Sequence, residues 1–172
     1  GRFLPGLYLL AGLSTSCSVQ ASLTPGPAET LTPPPTMPSS PPHFRIIAYA
    51  TDAITESNIP YNQLTHINYA FLIPNADGTF LPINNGWKLN RIVANGHLSN
   101  VKVLISVGGW GWDEQFETMA ASPESRSAFV QNLKSFVDEY RLDGADIDWE
   151  YPDAGQSSQN FLALGSELRS AM

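Results

Sequence analysis

The sequence predicts an α/β fold built on a parallel β-sheet. Short apolar segments bounded by turn residues alternate four times with segments of helical periodicity. Strands that alternate with helices in this way form βαβ units and a parallel sheet. In addition, residues 66–73 are apolar almost throughout, as expected of a strand covered on both faces. The predicted domain begins near His43 and continues to the end of the sequence.

Four strands are predicted in the domain. In chain order they cover residues 44–50, 66–73, 101–107 and 142–149. A turn at residues 75–78 closes the second strand, and Gly108 with Gly109 stops the third. The sequence therefore places glycines directly after the third strand.

Helices are predicted between the strands. They comprise a weak turn over 53–64, a helix over 87–95, a helix from 123 to about 140 and a helix over 160–172. The second segment is expected to end at Gly96, because glycine is favoured just past a helix C-terminus. The third is expected to begin with Ser122 as its cap and Pro123 at the first helical position.

Residues 1–43 differ from the domain because they hold only two charged residues, Arg2 and Glu29. Residues 3–13 form an apolar run that is too short to span a bilayer but right for a secretory signal. We therefore expect residues 1–23 to be a signal peptide and the protein to be secreted or attached to the cell envelope. The small residues before Cys17 loosely resemble a bacterial lipobox, so lipidation at Cys17 and plain secretion are alternatives. A buried N-terminal helix is the third interpretation.

Residues 24–43 predict a linker. Eight of the 14 prolines lie between Thr24 and Pro42, with Thr and Ser among them. A segment so poor in apolar residues cannot form a core, and its prolines favour an extended spacer.

The composition excludes several classes of function. The formal net charge is −7, which argues against a basic nucleic-acid-binding surface. The single cysteine, Cys17, allows neither an intrachain disulfide nor a cysteine-based zinc site. We expect no cofactor, no metal and no nucleic-acid partner, and contact with a membrane only through a lipid on Cys17.

The predicted fourth strand carries a row of acids. Asp146, Asp148 and Glu150 alternate with Ile147 and Trp149, so the three acids are expected on one strand face. Carboxylates this close cannot all ionise, and at least one pKa is expected to rise. A solvated acidic edge would not interleave large apolar residues, and the spacing does not fit an EF-hand calcium loop. The row indicates acid–base chemistry.

The acid row and the end of the third strand resemble the chitinases of glycoside hydrolase family 18. The family's D-x-x-D-x-D-x-E signature is present as Asp143, Asp146, Asp148 and Glu150, and its S-x-G-G motif as Ser106, Val107, Gly108 and Gly109. The resemblance covers residues 44–172. It implies a (β/α)8 TIM-type barrel, of which only about the first four βα units are present.

The resemblance also implies an activity, namely chitin degradation by cleavage of β-1,4 links between N-acetylglucosamine units with retention. Glu150 would be the proton donor, and the substrate's own N-acetyl group would replace the second carboxylate of ordinary retaining glycosidases. Asp148 would orient that group, and Asp146 would tune Asp148. Asp143 and Ser106 would be structural motif residues.

Chitin or N-acetylglucosamine oligosaccharides are the partners that the resemblance implies. The candidate substrate-binding residues are Tyr49, Phe71, Gly86, Trp87, Gly108, Gly109, Trp110, Gly111 and Tyr151. Trp110 and Tyr151 are the best candidates for stacking on sugar rings. A core position for Phe71 and a helix-packing position for Trp87 remain open alternatives.

The length of the domain leads to a further expectation. A barrel of this kind needs about 250 residues, so residues 44–172 are expected to be a truncated N-terminal half that is inactive alone. Two alternative functions remain: an endo-β-N-acetylglucosaminidase acting on glycans, and a non-catalytic chitin-binding lectin. The lectin alternative is disfavoured because such proteins usually lack the acid at the Glu150 position.

Overall fold

Four parallel strands and four helices make up the described part of the chain. The computed structural model describes residues 44–172, so the predicted signal peptide, linker and Cys17 lipidation lie outside the described residues. The strands are β1 (Ile47–Thr51), β2 (His66–Leu72), β3 (Lys102–Gly108) and β4 (Gly144–Asp148). The helices are α1 (Gly86–Leu98), α2 (Asp113–Ala121), α3 (Pro123–Tyr140) and α4 (Gln156–Ala171).

The sheet has the order β1-β2-β3-β4, and each neighbouring pair is parallel. This confirms the predicted parallel sheet. Spatial order follows chain order, as in the first strands of a barrel. Helices cover one face of the sheet, and the core lies between them and the strands. Among the largest fully buried side chains are Tyr69, Phe116, Phe129, Ile67, Leu72, Leu89, Ile92, Ile105 and Leu133.

The sheet is curved, and one contact shows how strongly. The Tyr49 hydroxyl of β1 donates a hydrogen bond to Asp146 of β4, with 2.8 Å between the oxygens. In a flat sheet these two strands would lie about 14 Å apart, at about 4.8 Å per strand spacing, beyond the reach of a tyrosine. The four units therefore form an arc of a barrel whose concave side holds the Tyr49 and Asp146 side chains.

β2 is buried on both faces, as predicted. Ile67 and Tyr69 are almost fully buried in the core, and Asn68 on the opposite face is also buried. The turn that follows is present, because the Gly78 amide donates to the Asn75 carbonyl and Gly78 has a φ of 84°.

The predicted end of the first long helix is wrong, whereas the predicted weak turn before β2 is present. α1 does not end at Gly96 but continues to Leu98, and a Cβ on Gly96 would lie 2.6 Å from the Val103 side chain. Gly96 is therefore small because α1 packs closely on β3. The weak turn over 53–64 is two single-turn 3-10 helices, Glu56–Asn58 and Tyr61–Gln63.

The start of α3 is confirmed. The Ser122 side chain accepts a hydrogen bond from the Ser125 amide, and Pro123 occupies the first helical turn. α4 begins at Gln156, four residues before the predicted start. Among the helices that the structure describes, none is both long and apolar enough to cross a membrane.

α2 was not predicted. Its nine residues carry acids in the first turn and three buried residues at helical spacing, Phe116, Met119 and Ala120. Enrichment of acids in a first helical turn is a start signal, and the proline at 123 limits the helix at its other end. These two signals could have located it.

Candidate active site

The carboxyl ends of the four strands lie at the same edge of the sheet, because the strands are parallel. Most of the predicted site residues lie on the strands or just past these ends: Tyr49 in β1; Phe71 in β2; Ser106, Gly108, Gly109, Trp110 and Gly111 in or after β3; and Asp146, Asp148, Glu150 and Tyr151 in or after β4. The register pairs Ser106 with Asp146 and Gly108 with Asp148. The structure therefore brings the two sequence motifs together side by side.

Asp146, Asp148 and Glu150 lie close together, but only the first two are part of β4. Asp146 and Asp148 belong to β4, whereas Glu150 lies two residues past its end. The prediction that β4 extends to Trp149 is wrong in this detail, because ladder pairing stops at Asp148. All three residues are partly buried.

Asp148 resists ionisation. Burial raises the pKa of its carboxyl, and the negative charges of Glu150 and Asp146 and the hydrogen bond to Glu150 raise it further. The prediction that crowding raises at least one pKa in the row is thereby confirmed. A carboxyl whose neutral form is favoured can hold a proton next to a second carboxylate.

Asp146 is held by two hydroxyl donors. The Tyr49 hydroxyl and the Ser106 hydroxyl each donate to Asp146 Oδ2 at 2.8 Å. Ser106 is fully buried beneath the site. Burial, followed by the bond to Asp146 and the charges of Asp146 and Asp148, raises the pKa of Tyr49 despite an opposing contact with Asn68. The Tyr49 hydroxyl therefore keeps its proton and remains a hydrogen-bond donor to Asp146.

The glycine pair after β3 allows the end of that strand to approach β4. Gly108 has a φ of 109°, and a Cβ there would lie 2.5 Å from the Asp148 carbonyl oxygen. Gly109 donates its amide to the same oxygen at 2.8 Å. A Cβ on Gly109 would also lie 3.0 Å from the Phe71 ring. Their predicted contact with a sugar remains a prediction.

Aromatic side chains flank the acids. Trp110 is 78% exposed and Tyr151 is 67% exposed, and their rings meet edge to face with centroids 6.5 Å apart. Hydrogen bonding to Glu150, then the charge of Glu150, raises the pKa of the Tyr151 hydroxyl. Phe71 is 38% exposed, so it is not an ordinary core residue. Gly111 has a φ of 92° and borders open space.

Gly86 and Trp87 are the first two residues of α1. A Cβ on Gly86 would lie 2.6 Å from the Tyr140 hydroxyl, which gives this glycine a role in packing α1 on α3. Trp87 is 56% exposed with Lys88 Nζ 5.8 Å from its ring centroid. Substrate contact by either residue remains a prediction.

Asp143 lies at the opposite end of β4 from the site. It accepts hydrogen bonds from Lys102 Nζ at 2.7 Å, from the Val103 amide at 2.8 Å and, as a paired contact, from His97 Nε2 at 2.9 Å. These contacts link the lower ends of β3 and β4 to α1. They support the structural role expected for Asp143.

Asp113 is not among the residues predicted from the sequence, yet the structure connects it to the acid row. Trp149 Nε1 donates to Asp113 Oδ1 at 2.7 Å, joining the residue between Asp148 and Glu150 to the first turn of α2. Within residues 44–172, no group of three or more His, Cys, Asp or Glu side chains is placed to hold a metal ion.

The fold and the site together define a barrel-type α/β protein that carries its functional residues at the carboxyl ends of its strands. Residues 45–172 match the family described as Glycosyl hydrolases family 18, and the chain belongs to that family.

Named relatives and solved structures agree with this assignment. The chain is 30% identical over 137 residues to Chitinase 1 of Aphanocladium album, covering 67% of this chain and 32% of that relative. The crystal structure of a chitinase from Rhizomucor miehei superposes with a TM-score of 0.66 at 32% identity, over 73% of this chain and 43% of that one. The Group IV chitinase of Ostrinia furnacalis in complex with allosamidin gives a TM-score of 0.65 at 30% identity, over 72% and 40%. The chain therefore spans less than half the length of these relatives.

Proposed function

We propose that the protein carrying this chain is a chitinase and that residues 44–172 supply its proton donor. The observation that carries the proposal is the cluster of Asp146, Asp148 and Glu150, in which burial and the charges of the two neighbouring acids raise the pKa of Asp148. Such a cluster destabilises a fold and is typical of acid–base chemistry. The chitinases among the relatives favour chitin as the substrate.

Glu150 is the proton donor in the proposed reaction. It gives its proton to the glycosidic oxygen as the bond from that oxygen to the anomeric carbon breaks. The carbonyl oxygen of the substrate's N-acetyl group attacks the anomeric carbon and forms an oxazolinium ion, so the protein needs no carboxylate nucleophile. Glu150 then takes a proton from water, and the water oxygen opens the ion with retention.

Asp148 and Asp146 support this step by electrostatics. Asp148, held beside Glu150, accepts the acetamide N–H and stabilises the positive charge that develops on the oxazolinium ring. Asp146 shares a hydrogen bond or proton with Asp148. Because Tyr49 and Ser106 both donate to Asp146 Oδ2, the orientation of the Asp146 carboxylate is set before substrate binds.

The aromatic pair Trp110 and Tyr151 offers the sugar-binding surface in this proposal. Both rings are exposed, and they follow the ends of β3 and β4 respectively. The C–H groups on one face of a pyranose ring pack well on such aromatic rings, so we place a substrate sugar against them. Phe71, which contacts the Gly109 position, would form part of the wall of the same subsite.

The test is release of a fluorophore from N-acetylglucosamine oligosaccharide glycosides by the full-length protein. We expect Glu150→Gln to lower kcat by more than about a hundredfold, because a general acid contributes about 10²–10⁴-fold. Glu139→Gln is the matched control, since Glu139 is an exposed glutamate on α3 and makes the same change of charge.

The possible outcomes separate the candidate functions. Cleavage by the wild type and its loss in the Glu150 variant support the chitinase proposal. Binding to chitin without cleavage would favour a lectin, and cleavage of glycoprotein glycans in preference to chitin would favour an endo-β-N-acetylglucosaminidase. The proposal includes export, which is supported by the apolar run of residues 3–13.

A further inference from the structure

Glu150 lies beyond the hydrogen-bonded part of its strand. β4 ends at Asp148, whose carbonyl oxygen still accepts the Gly109 amide at 2.8 Å. The ladder hydrogen bonds therefore fix the backbone only as far as Asp148. Strand pairing does not extend to Glu150, so another contact must position Glu150 relative to Asp148.

Trp149 is the residue between the two acids, and two helices hold its side chain. The indole is 5% exposed and stacks on Phe116 of α2, with centroids 5.2 Å apart and planes 11° apart. It also meets the edge of Phe161 of α4 at 6.0 Å. The ring is therefore confined on two sides by residues of the outer helices.

A hydrogen bond sets the direction of that ring. Trp149 Nε1 donates to Asp113 Oδ1 at 2.7 Å, and a bond between a neutral donor and a carboxylate is stronger than one between neutral groups. Asp113 is the first residue of α2, where the N-terminal end of the helix dipole stabilises a negative charge. The acceptor is thus held in a fixed place at the start of α2.

The same helix also contacts the backbone around the acids. A Cβ on Gly108 would lie 2.5 Å from the Phe116 ring and 2.5 Å from the Asp148 carbonyl oxygen. α2 therefore packs against the ends of β3 and β4 together and holds the residue that follows Asp148.

We propose that Trp149 and Asp113 are positioning residues that hold Glu150 in place relative to Asp148 through the indole hydrogen bond to α2. Their role in turnover rests on the proposed function. Without this anchor the Trp149 side chain and backbone could shift together and displace Glu150, which follows directly. A displacement of about 1 Å in a catalytic group can cost about 10²-fold in rate.

The experiment compares Trp149→Phe, Asp113→Ala and Asp113→Asn in the full-length protein. Phenylalanine keeps an aromatic ring but has no N–H, alanine has no acceptor, and asparagine keeps an oxygen acceptor in the same position. We expect the first two variants to lower kcat by about tenfold to a hundredfold with KM within about threefold. Asp113→Asn is expected to stay within about threefold of wild type.

A double variant and a control variant test whether Trp149 and Asp113 only stabilise the fold. Because Trp149→Phe and Asp113→Ala break one contact, their combination is expected to be no slower than the slower single variant. The control is Ser157→Ala, which removes a hydrogen bond from α4 to Glu117 of α2 without touching β4. It is expected to lower thermal stability but leave kcat within about twofold. Equal kcat losses in the control and the test variants, or full kcat in Trp149→Phe, would overturn the proposal.

A readout independent of turnover separates this inference from the proposed function. A wild-type protein that does not cleave chitin oligosaccharides contradicts the proposed function alone. The positioning role is then decided by carboxyl NMR titration of Asp148, whose pKa is raised in part by Glu150. A pKa that falls toward the ordinary aspartate range in Trp149→Phe, but not in Ser157→Ala, supports the role. An unchanged pKa overturns it.

Discussion

The two ends of β4 carry aspartates in opposite electrostatic settings. At the lower end, Asp143 contacts Lys102, His97 and the Val103 amide. Burial alone would raise its pKa, but these donors and the Lys102 charge outweigh burial and lower it. At the upper end, burial and the neighbouring acids raise the pKa of Asp148.

The contrast separates an end of the strand that stabilises the fold from the end that we propose carries the chemistry. Asp143 is surrounded by donors, so its negative charge ties β3, β4 and α1 together. Asp148 is partly buried and faces other acids, so its negative charge is unfavourable. Uncompensated charge of this kind is retained where a reaction needs it and is otherwise costly.

The largest expected effect is on catalysis, from Asp148→Asn. The amide cannot carry the negative charge that stabilises the oxazolinium ring, so we expect kcat to fall by about a hundredfold or more. The free energy of unfolding is not expected to fall, because the repulsion between Asp148, Asp146 and Glu150 is relieved. Steady-state kinetics and thermal unfolding of the same samples check both parts. Lower stability with unchanged kcat would reverse the roles assigned to the two ends.

The next effect is on stability, from Asp143→Ala. Removing this carboxylate leaves the partly buried Val103 amide without its acceptor, which costs about 1–3 kcal/mol in the free energy of unfolding. We expect kcat to remain within about threefold. Lys102→Ala is the milder control, because the Lys102 side chain is 63% exposed and such pairs contribute at most about 1 kcal/mol. If Asp143→Ala lost as much activity as Asp148→Asn, the distinction between the two ends of β4 would be wrong.

The pH dependence of these two variants should have opposite signs. Because folding lowers the pKa of Asp143, its contribution is present above the ordinary aspartate pKa and is lost as the pH falls below about 4. The stability gap between wild type and Asp143→Ala should therefore narrow in acid. Because folding raises the pKa of Asp148, ionisation of that residue weakens the fold as the pH rises, so any advantage of Asp148→Asn should grow with pH. Chemical denaturation across pH 3–8 measures both trends.

Local patterns in the sequence predicted the parts of this molecule that depend on local physics. Alternation along residues 146–150 identified the acid row, and the Ser122 and Pro123 pair identified the start of α3. The family motifs then related the row to the glycines after β3. Each of these signals lies within a few residues of chain.

Contacts between distant segments could not be predicted in the same way. The hydrogen bond from Tyr49 to Asp146 spans 97 residues, and that from Trp149 to Asp113 spans 36. Both depend on the curvature of the sheet or the packing of α2, which no periodicity encodes. The prediction that α1 ends at Gly96 is wrong for the same reason, because the feature that requires glycine there is the Val103 side chain on another element.

The smallest expected effect concerns the Tyr49 and Ser106 hydroxyls that donate to Asp146. It tests whether these donors orient the acids at the upper end of β4. Ser106→Ala and Tyr49→Phe each remove one of two donors to the same oxygen. Because the other donor remains, each single variant is expected to lower kcat by only about threefold to tenfold, which corresponds to the net contribution of one ordinary hydrogen bond, about 0.5–1.5 kcal/mol.

Removing both donors should have more than the combined effect of the single changes. Asp146 would then be free to rotate and its charge would be less stabilised, so the double variant is expected to lose more than the product of the single losses. Ser135→Ala is the matched control, since that hydroxyl only donates to a carbonyl within α3. Strictly multiplicative losses would mean that Tyr49 and Ser106 act on separate groups. In that case the shared oxygen of Asp146 would not be the feature that prepares the acid row for catalysis.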